Sequence, residues 1–148
     1  MTDAATIAKE LRRLLANAHA PYSGVHVAAA VEGPDGTLHY GVNVENAAYP
    51  QGVCAEASAI SGAVTNGQKS IARVYVASSL PELVWPCGGC RQKIFEFATE
   101  AAKWSASPPA ARSGAKRSSS CCPWGSASTR RRCIPSSAAC PTLRQSPT

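Results

Sequence analysis

The stretch Val84-Trp85-Pro86-Cys87-Gly88-Gly89-Cys90-Arg91-Gln92 decides how this chain is read. Beyond it, Arg91 to Phe97 begins a helix with Ile94, Phe95 and Ala98 on its apolar side, so Cys87 and Cys90 stand at a helix start. Before it, Ile71 to Ala77 (Ile-Ala-Arg-Val-Tyr-Val-Ala) reads as a largely buried strand. Taken alone, a Cys-x-x-Cys between a strand and a helix suits a redox pair, a structural zinc site or a catalytic one.

Upstream, the Ala-rich stretch Cys54 to Val64 reads as a second helix, closed by Asn66-Gly67 as a C-terminal cap. Cys54-Ala55-Glu56 opens it, so three thiols could meet at two helix N-termini. There the helix dipole and free backbone N–H groups favour thiolate, the form that binds zinc. Three protein ligands leave a fourth position open, as in catalytic rather than closed four-Cys sites. Glu56 lies two residues beyond its neighbouring thiol, within reach of a water there as a proton shuttle.

Further upstream, Val25, Val27, Ala29 and Val31 alternate up to Gly33-Pro34-Asp35-Gly36, and Leu38, Tyr40, Val42 and Val44 alternate on the return. That pattern is a hairpin whose Asp-Gly suits a turn with positive φ. Ile7, Leu11, Leu14, Leu15 and Ala18 form one stripe of an amphipathic helix spanning Asp3 to Ala18. His19, His26 and His39 have no ligand spacing and are assigned no role.

The 148 residues are 45% hydrophobic and 16% charged, which fits a globular domain and excludes a fibrous or wholly disordered chain. No long apolar run and no signal-peptide pattern is present, so the expectation is an intracellular, cytoplasmic protein without a membrane partner. Charge is split: residues 1–102 carry seven Lys or Arg against all nine acidic side chains, whereas residues 103–148 carry eight basic and no acidic ones. Cysteine is split too, with Cys121, Cys122, Cys133 and Cys140 in the second part. Seven cysteines in all suit no closed disulfide framework.

Ala20-Pro21-Tyr22-Ser23, Asn43-Val44-Glu45-Asn46-Ala47, Cys54-Ala55-Glu56 and Pro86-Cys87-Gly88-Gly89-Cys90-Arg91-Gln92 together resemble the small bacterial cytidine deaminases of the zinc-dependent nucleoside and nucleotide deaminase superfamily. The likeness runs from about Ile7 to Ala98. It implies a three-layer α/β/α domain over residues 1–102, with a mixed sheet between helices. It also implies hydrolytic deamination of cytidine or deoxycytidine in pyrimidine salvage, and a homotetramer.

By the same resemblance Cys54, Cys87 and Cys90 hold Zn2+, and Glu56 moves protons between the attacking water, ring N3 and the departing amine. Asn43 and Glu45 match a ribose-binding pair, and the backbone around Ala55 contacts the base. Val25 stands where relatives carry an aromatic residue against the substrate, and Ala57 stands where they carry Arg. A related aminopyrimidine nucleoside such as blasticidin S is the near rival. From another class, the rival is an inactive zinc-binding remnant with a basic, nucleic-acid-binding tail. Asn43 and Glu45 favour a free nucleoside over nucleic acid.

The resemblance stops in residues 103–148, with eleven Ser, six Pro and six Arg, a composition expected to stay irregular or disordered. A deaminase domain would continue with two strands and a helix carrying Leu-Leu-Pro. Back-translating residues 103–129 and reading two nucleotides later allows such an ending. In that frame every codon choice for Cys121-Cys122 yields Leu, and Trp124-Gly125 always yields Gly. The expectation is therefore a frameshift near Lys103.

Overall fold

In the computed structural model of this chain, residues 2–107 are described. Asp3 caps the first helix, α1 (Ala4–Leu14), its carboxylate accepting from the backbone N–H groups of Ala5 and Thr6. Ile7 and Leu11, one turn apart, are fully buried, and Leu14 and Leu15 pack beside them. The α-helix ends sooner than its apolar stripe, tightening into a 3-10 turn at Leu15–Asn17. The reason lies just beyond: His19 donates to the Asn43 carbonyl at 3.0 Å and accepts from Glu45 N–H at 2.7 Å, which draws the chain straight.

β1 (Val27–Glu32) and β2 (Leu38–Val42) form the expected antiparallel hairpin, with Ala28 opposite Val42 and Glu32 opposite Leu38. Gly36 takes φ +82°, the conformation the Asp-Gly turn calls for. Both strands are shorter than their alternation. Val25 precedes β1, and Val44 leaves β2 to make isolated bridges with His19 and Val53.

α2 (Ala55–Thr65) follows and closes at Asn66-Gly67, with Gly67 at φ +84°. It lies directly on β2, because a Cβ at Gly41 would stand only 2.7 Å from the Ala55 carbonyl oxygen. β3 (Ile71–Ser78) pairs antiparallel with β1, and α3 (Gly88–Phe97) leads without a loop into β4 (Ala98–Ser107), which pairs parallel with β3. The sheet order is β2-β1-β3-β4.

This mixed sheet has helices on both faces, the three-layer α/β/α arrangement. Alternation along the central strands divides the core. Ala28, Ala30 and Ala77 face α1, whereas Ala29, Val31, Val74 and Val76 face α2 and α3 with Ala59, Ile60 and Ile94. The run of alanines in β1 brings both helix layers close to the sheet. At the edge of the α1 face, buried Glu32 accepts from Arg73 Nη1 at 2.8 Å and Tyr75 OH at 2.7 Å, so its charge is paired across two strands.

β4 departs from expectation. Composition makes the chain irregular from Lys103, yet Lys103 to Ser107 pair with Arg73 to Ala77, and partly buried Trp104 packs on the core. The open edge of β3 supplies the pairing that local propensity withholds. A register shift lies between the Ala98 and Lys103 pairings, where Thr99 to Ala102 bulge away. Residues 108–148, with their frameshift, disorder and nucleic-acid readings, lie outside the described residues. Among the described residues, no helix is long and apolar enough to cross a membrane.

Candidate metal centre and active site

Cys54 is the N-cap of α2 and Cys87 the N-cap of α3, with Cys90 in the first turn of α3. The two helix N-termini therefore converge on three thiols from distant parts of the sequence. Their sulfur atoms all lie within 4.8 Å of one another, and Cys54 Sγ is 3.8 Å from Cys87 Sγ. Tetrahedral zinc with sulfur at about 2.3 Å places its thiolates about 3.8 Å apart, so the donor set and its spacing fit that ion. Cys90 is buried, while Cys54 and Cys87 are exposed.

The thiols differ electrostatically. Burial, followed by the nearby Glu56 carboxylate, holds Cys90 far above the ordinary thiol value. Burial also raises Cys54. Cys87 is lowered, chiefly by the Cys90 backbone N–H, which donates to its sulfur at 3.4 Å. A divalent cation removes the proton from all three, which is why metal binding here releases protons.

Glu56 sits in the first turn of α2, nearly fully buried, and accepts from the Cys90 thiol at 3.5 Å. Glu56, Cys54 and Cys87 line a cavity of about 270 Å³. Val25, Asn43, Glu45 and Ala55 line the same cavity, so the structure brings all the anticipated pocket residues together around it. Cys90, buried, is not part of the wall.

The polar residues are held in different ways. Asn43 Oδ1 accepts from Val27 N–H at 2.7 Å and its Nδ2 donates to the Val25 carbonyl at 2.9 Å. Half of its amide hydrogen-bonding capacity is therefore spent on the start of β1. Glu45 accepts from the Ser23 hydroxyl and from the backbone N–H groups of Tyr22 and Ser23. The hydroxyl leads in keeping the Glu45 carboxyl below the usual carboxylate range.

Four further wall residues, Ser23, Val27, Val84 and Trp85, carry no site role in the sequence, and two of them are polar or aromatic. Ser23 is a spatial neighbour of Glu45 only because Pro21 to Gly24 folds over it, and Trp85 was read only as part of the approach to Cys87. The signal for Ser23 was present in Ala20-Pro21-Tyr22-Ser23, but not its bond to Glu45. Outside this cavity, the ring of Tyr22 meets that of Tyr49 edge-on at 6.4 Å. Together with Ser23 and Glu45 they line a second, smaller depression of about 210 Å³.

Comparison with known proteins agrees with this geometry. The family model for the cytidine and deoxycytidylate deaminase zinc-binding region matches residues 1–106. The cytidine deaminase of Sporosarcina psychrophila is 39% identical over 95 residues, covering 64% of this chain and 70% of that protein. That of Mycoplasma genitalium is 37% identical over 98 residues, covering 66% and 75% respectively. The crystal structure of cytidine deaminase from Mycobacterium leprae superposes with a TM-score of 0.64 at 36% identity, over 70% of this chain and 87% of that one.

Proposed function

The chain belongs to the cytidine and deoxycytidylate deaminase family, a family of zinc-binding enzymes, and we propose that it hydrolyses cytidine and deoxycytidine to uridine and deoxyuridine with release of ammonia. The observation that carries this reading is the buried Glu56 carboxylate in the cavity wall beside three converging thiols. Cys54, Cys87 and Cys90 are the residues that would hold zinc. Bound there, zinc supplies a Lewis acid that makes a water molecule acidic enough to act at neutral pH.

Each remaining step belongs to the chain's own side chains. Glu56 accepts a proton from the attacking water and delivers it to ring N3 as C4 becomes tetrahedral; it then takes the proton of the new C4 hydroxyl and passes it to the amine, so that the C4–N bond breaks, the C4 carbonyl forms and ammonia leaves. Glu45, kept ionised by Ser23 and two backbone N–H groups, accepts a hydrogen bond from a ribose hydroxyl. Asn43 ties the Glu45 segment to β1 and offers its remaining amide hydrogen to the same ribose. The backbone at Ala55 meets the base, and Val25 gives it apolar contact. The net change is one water consumed and one ammonia released. The reading includes a homotetramer serving pyrimidine salvage in the cytoplasm.

The test is ammonia release from cytidine by the purified chain, with zinc measured on the same sample and Glu56→Gln as control. The expected result is about one zinc per chain in both proteins and turnover that falls about 10²- to 10⁴-fold in the variant. A zinc-loaded chain inert towards cytidine and deoxycytidine, or a fully active Glu56→Gln, overturns the proposal.

A further inference from the structure

Trp85 is the one aromatic residue among the described residues that line the cavity, whose apolar wall is otherwise made by Val25, Val27 and Val84. It is 55% exposed, an unusual amount for the largest hydrophobic side chain in a position next to the metal-binding thiols. An indole left open in a concave site costs hydrophobic surface that a flat apolar partner would recover on binding. Its place in the chain indicates which part of a nucleoside that partner is. Only Pro86 separates it from Cys87, so its Cα stands within about 7 Å of the Cα of that thiol residue. Glu45, the sugar-binding group of the deaminase reading, and its partner Ser23 also line the second depression, which Trp85 and Cys87 do not.

We propose that Trp85 is a specificity-determining residue of this site, its indole stacking on the pyrimidine ring while Glu45 holds the sugar. The inference rests on the deaminase reading and deepens it. Aliphatic walls contact a base edge or a sugar equally well, but an indole face prefers the π surface of a ring. Binding energy from this stack is available before and during the reaction alike, so it acts on KM more than on kcat. Pro86 restricts the backbone of Trp85 to extended conformations, which limits the entropy lost when the ring is immobilised.

The experiment compares Trp85→Ala, Trp85→Leu and Trp85→Phe with the wild-type chain, using cytidine as substrate and checking zinc content and circular dichroism of each. Trp85→Ala is expected to raise KM about tenfold or more with kcat within about threefold. Trp85→Leu, which restores bulk without a π face, should stay near the Ala variant, and Trp85→Phe should return close to wild type. A readout independent of turnover is Trp85 emission in a zinc-loaded Glu56→Gln chain carrying Trp104→Phe and Trp124→Phe, titrated with cytidine. A saturable change in emission supports stacking.

Wild-type KM in Trp85→Ala, or a Leu variant as good as Phe, overturns the proposal while the deaminase reading stands. Emission that ignores cytidine while calorimetry records its binding overturns it too. A wild-type chain that neither binds nor converts cytidine sinks both.

Discussion

The start of α1 and the starts of α2 and α3 solve the same problem in opposite ways. Every helix begins with backbone N–H groups that lack intrahelical partners. Asp3 satisfies two of them in α1 with its carboxylate, which also accepts from the Thr6 hydroxyl. Cys54 makes no side-chain cap for α2, and Cys87 caps α3 only through a long N–H to sulfur contact of 3.4 Å. At these two helices the capping position is occupied by a thiol placed to bind a metal ion, so local stability is given up where that ion would sit. The helix starts that bear the chemistry are the poorly capped ones.

Cys54→Ser should break that arrangement most visibly. A serine caps well and a hydroxyl binds zinc poorly. The variant is expected to lose nearly all bound zinc while its metal-free form melts about 3 °C above the metal-free wild type. Zinc per chain and calorimetric melting with and without a chelator provide the measurement. If the metal-free variant melts no higher, the capping deficit at α2 is not a cost of ligation and the contrast with α1 fails.

The next effect comes from how each helix is seated. α1 rests on β1 and β3 through the side chains of Ile7 and Leu11, which can shift to absorb a small change. α2 rests on β2 through backbone at Gly41, where an added methyl meets the Ala55 carbonyl and the Ala59 amide. Gly41→Ala is expected to destabilise the chain by about 1–3 kcal/mol and to weaken zinc binding, because Cys54 and Glu56 travel with α2. Denaturant unfolding and zinc titration test the two halves separately. Unchanged zinc affinity in a destabilised Gly41→Ala chain would show that the ligand geometry does not depend on this contact.

The same division separates what the sequence discloses from what it conceals. Cys54, Glu56, Cys87 and Cys90 are legible because few roles require those residue types at helix starts, and Gly36 and Gly67 because positive φ selects glycine. The fold's centre is legible for a similar reason, since Ala29, Val31, Val74 and Val76 carry their face in their alternation. β4 is not legible. The Ser- and Pro-rich composition from Lys103 onward reads as irregular, and only the free edge of β3 turns Lys103 to Ser107 into a strand. Ser23 and Trp85 are hidden likewise, because each acquires meaning from a neighbour far along the chain.

The narrowest effect, confined to stability, is expected at Asp3, and it checks that α1 is the ordinary member of the comparison. Asp3→Ala should lower the melting temperature by about 5 °C and leave zinc content and cytidine turnover unchanged. The Thr6 hydroxyl, helped by the Thr6 and Ala5 backbone N–H groups, holds the Asp3 carboxyl below its ordinary value of 3.8. A depressed folded-state value means that the ionised form carries the stabilisation. The gap between wild type and variant should therefore be full above that ordinary value and close as the pH falls through the lowered one. Melting curves from neutral to strongly acidic pH read this directly. A gap that persists in acid would mean that Asp3 acts through something other than its charged cap. Loss of zinc in the variant would mean that α1, too, is coupled to the metal centre on the opposite face of the sheet.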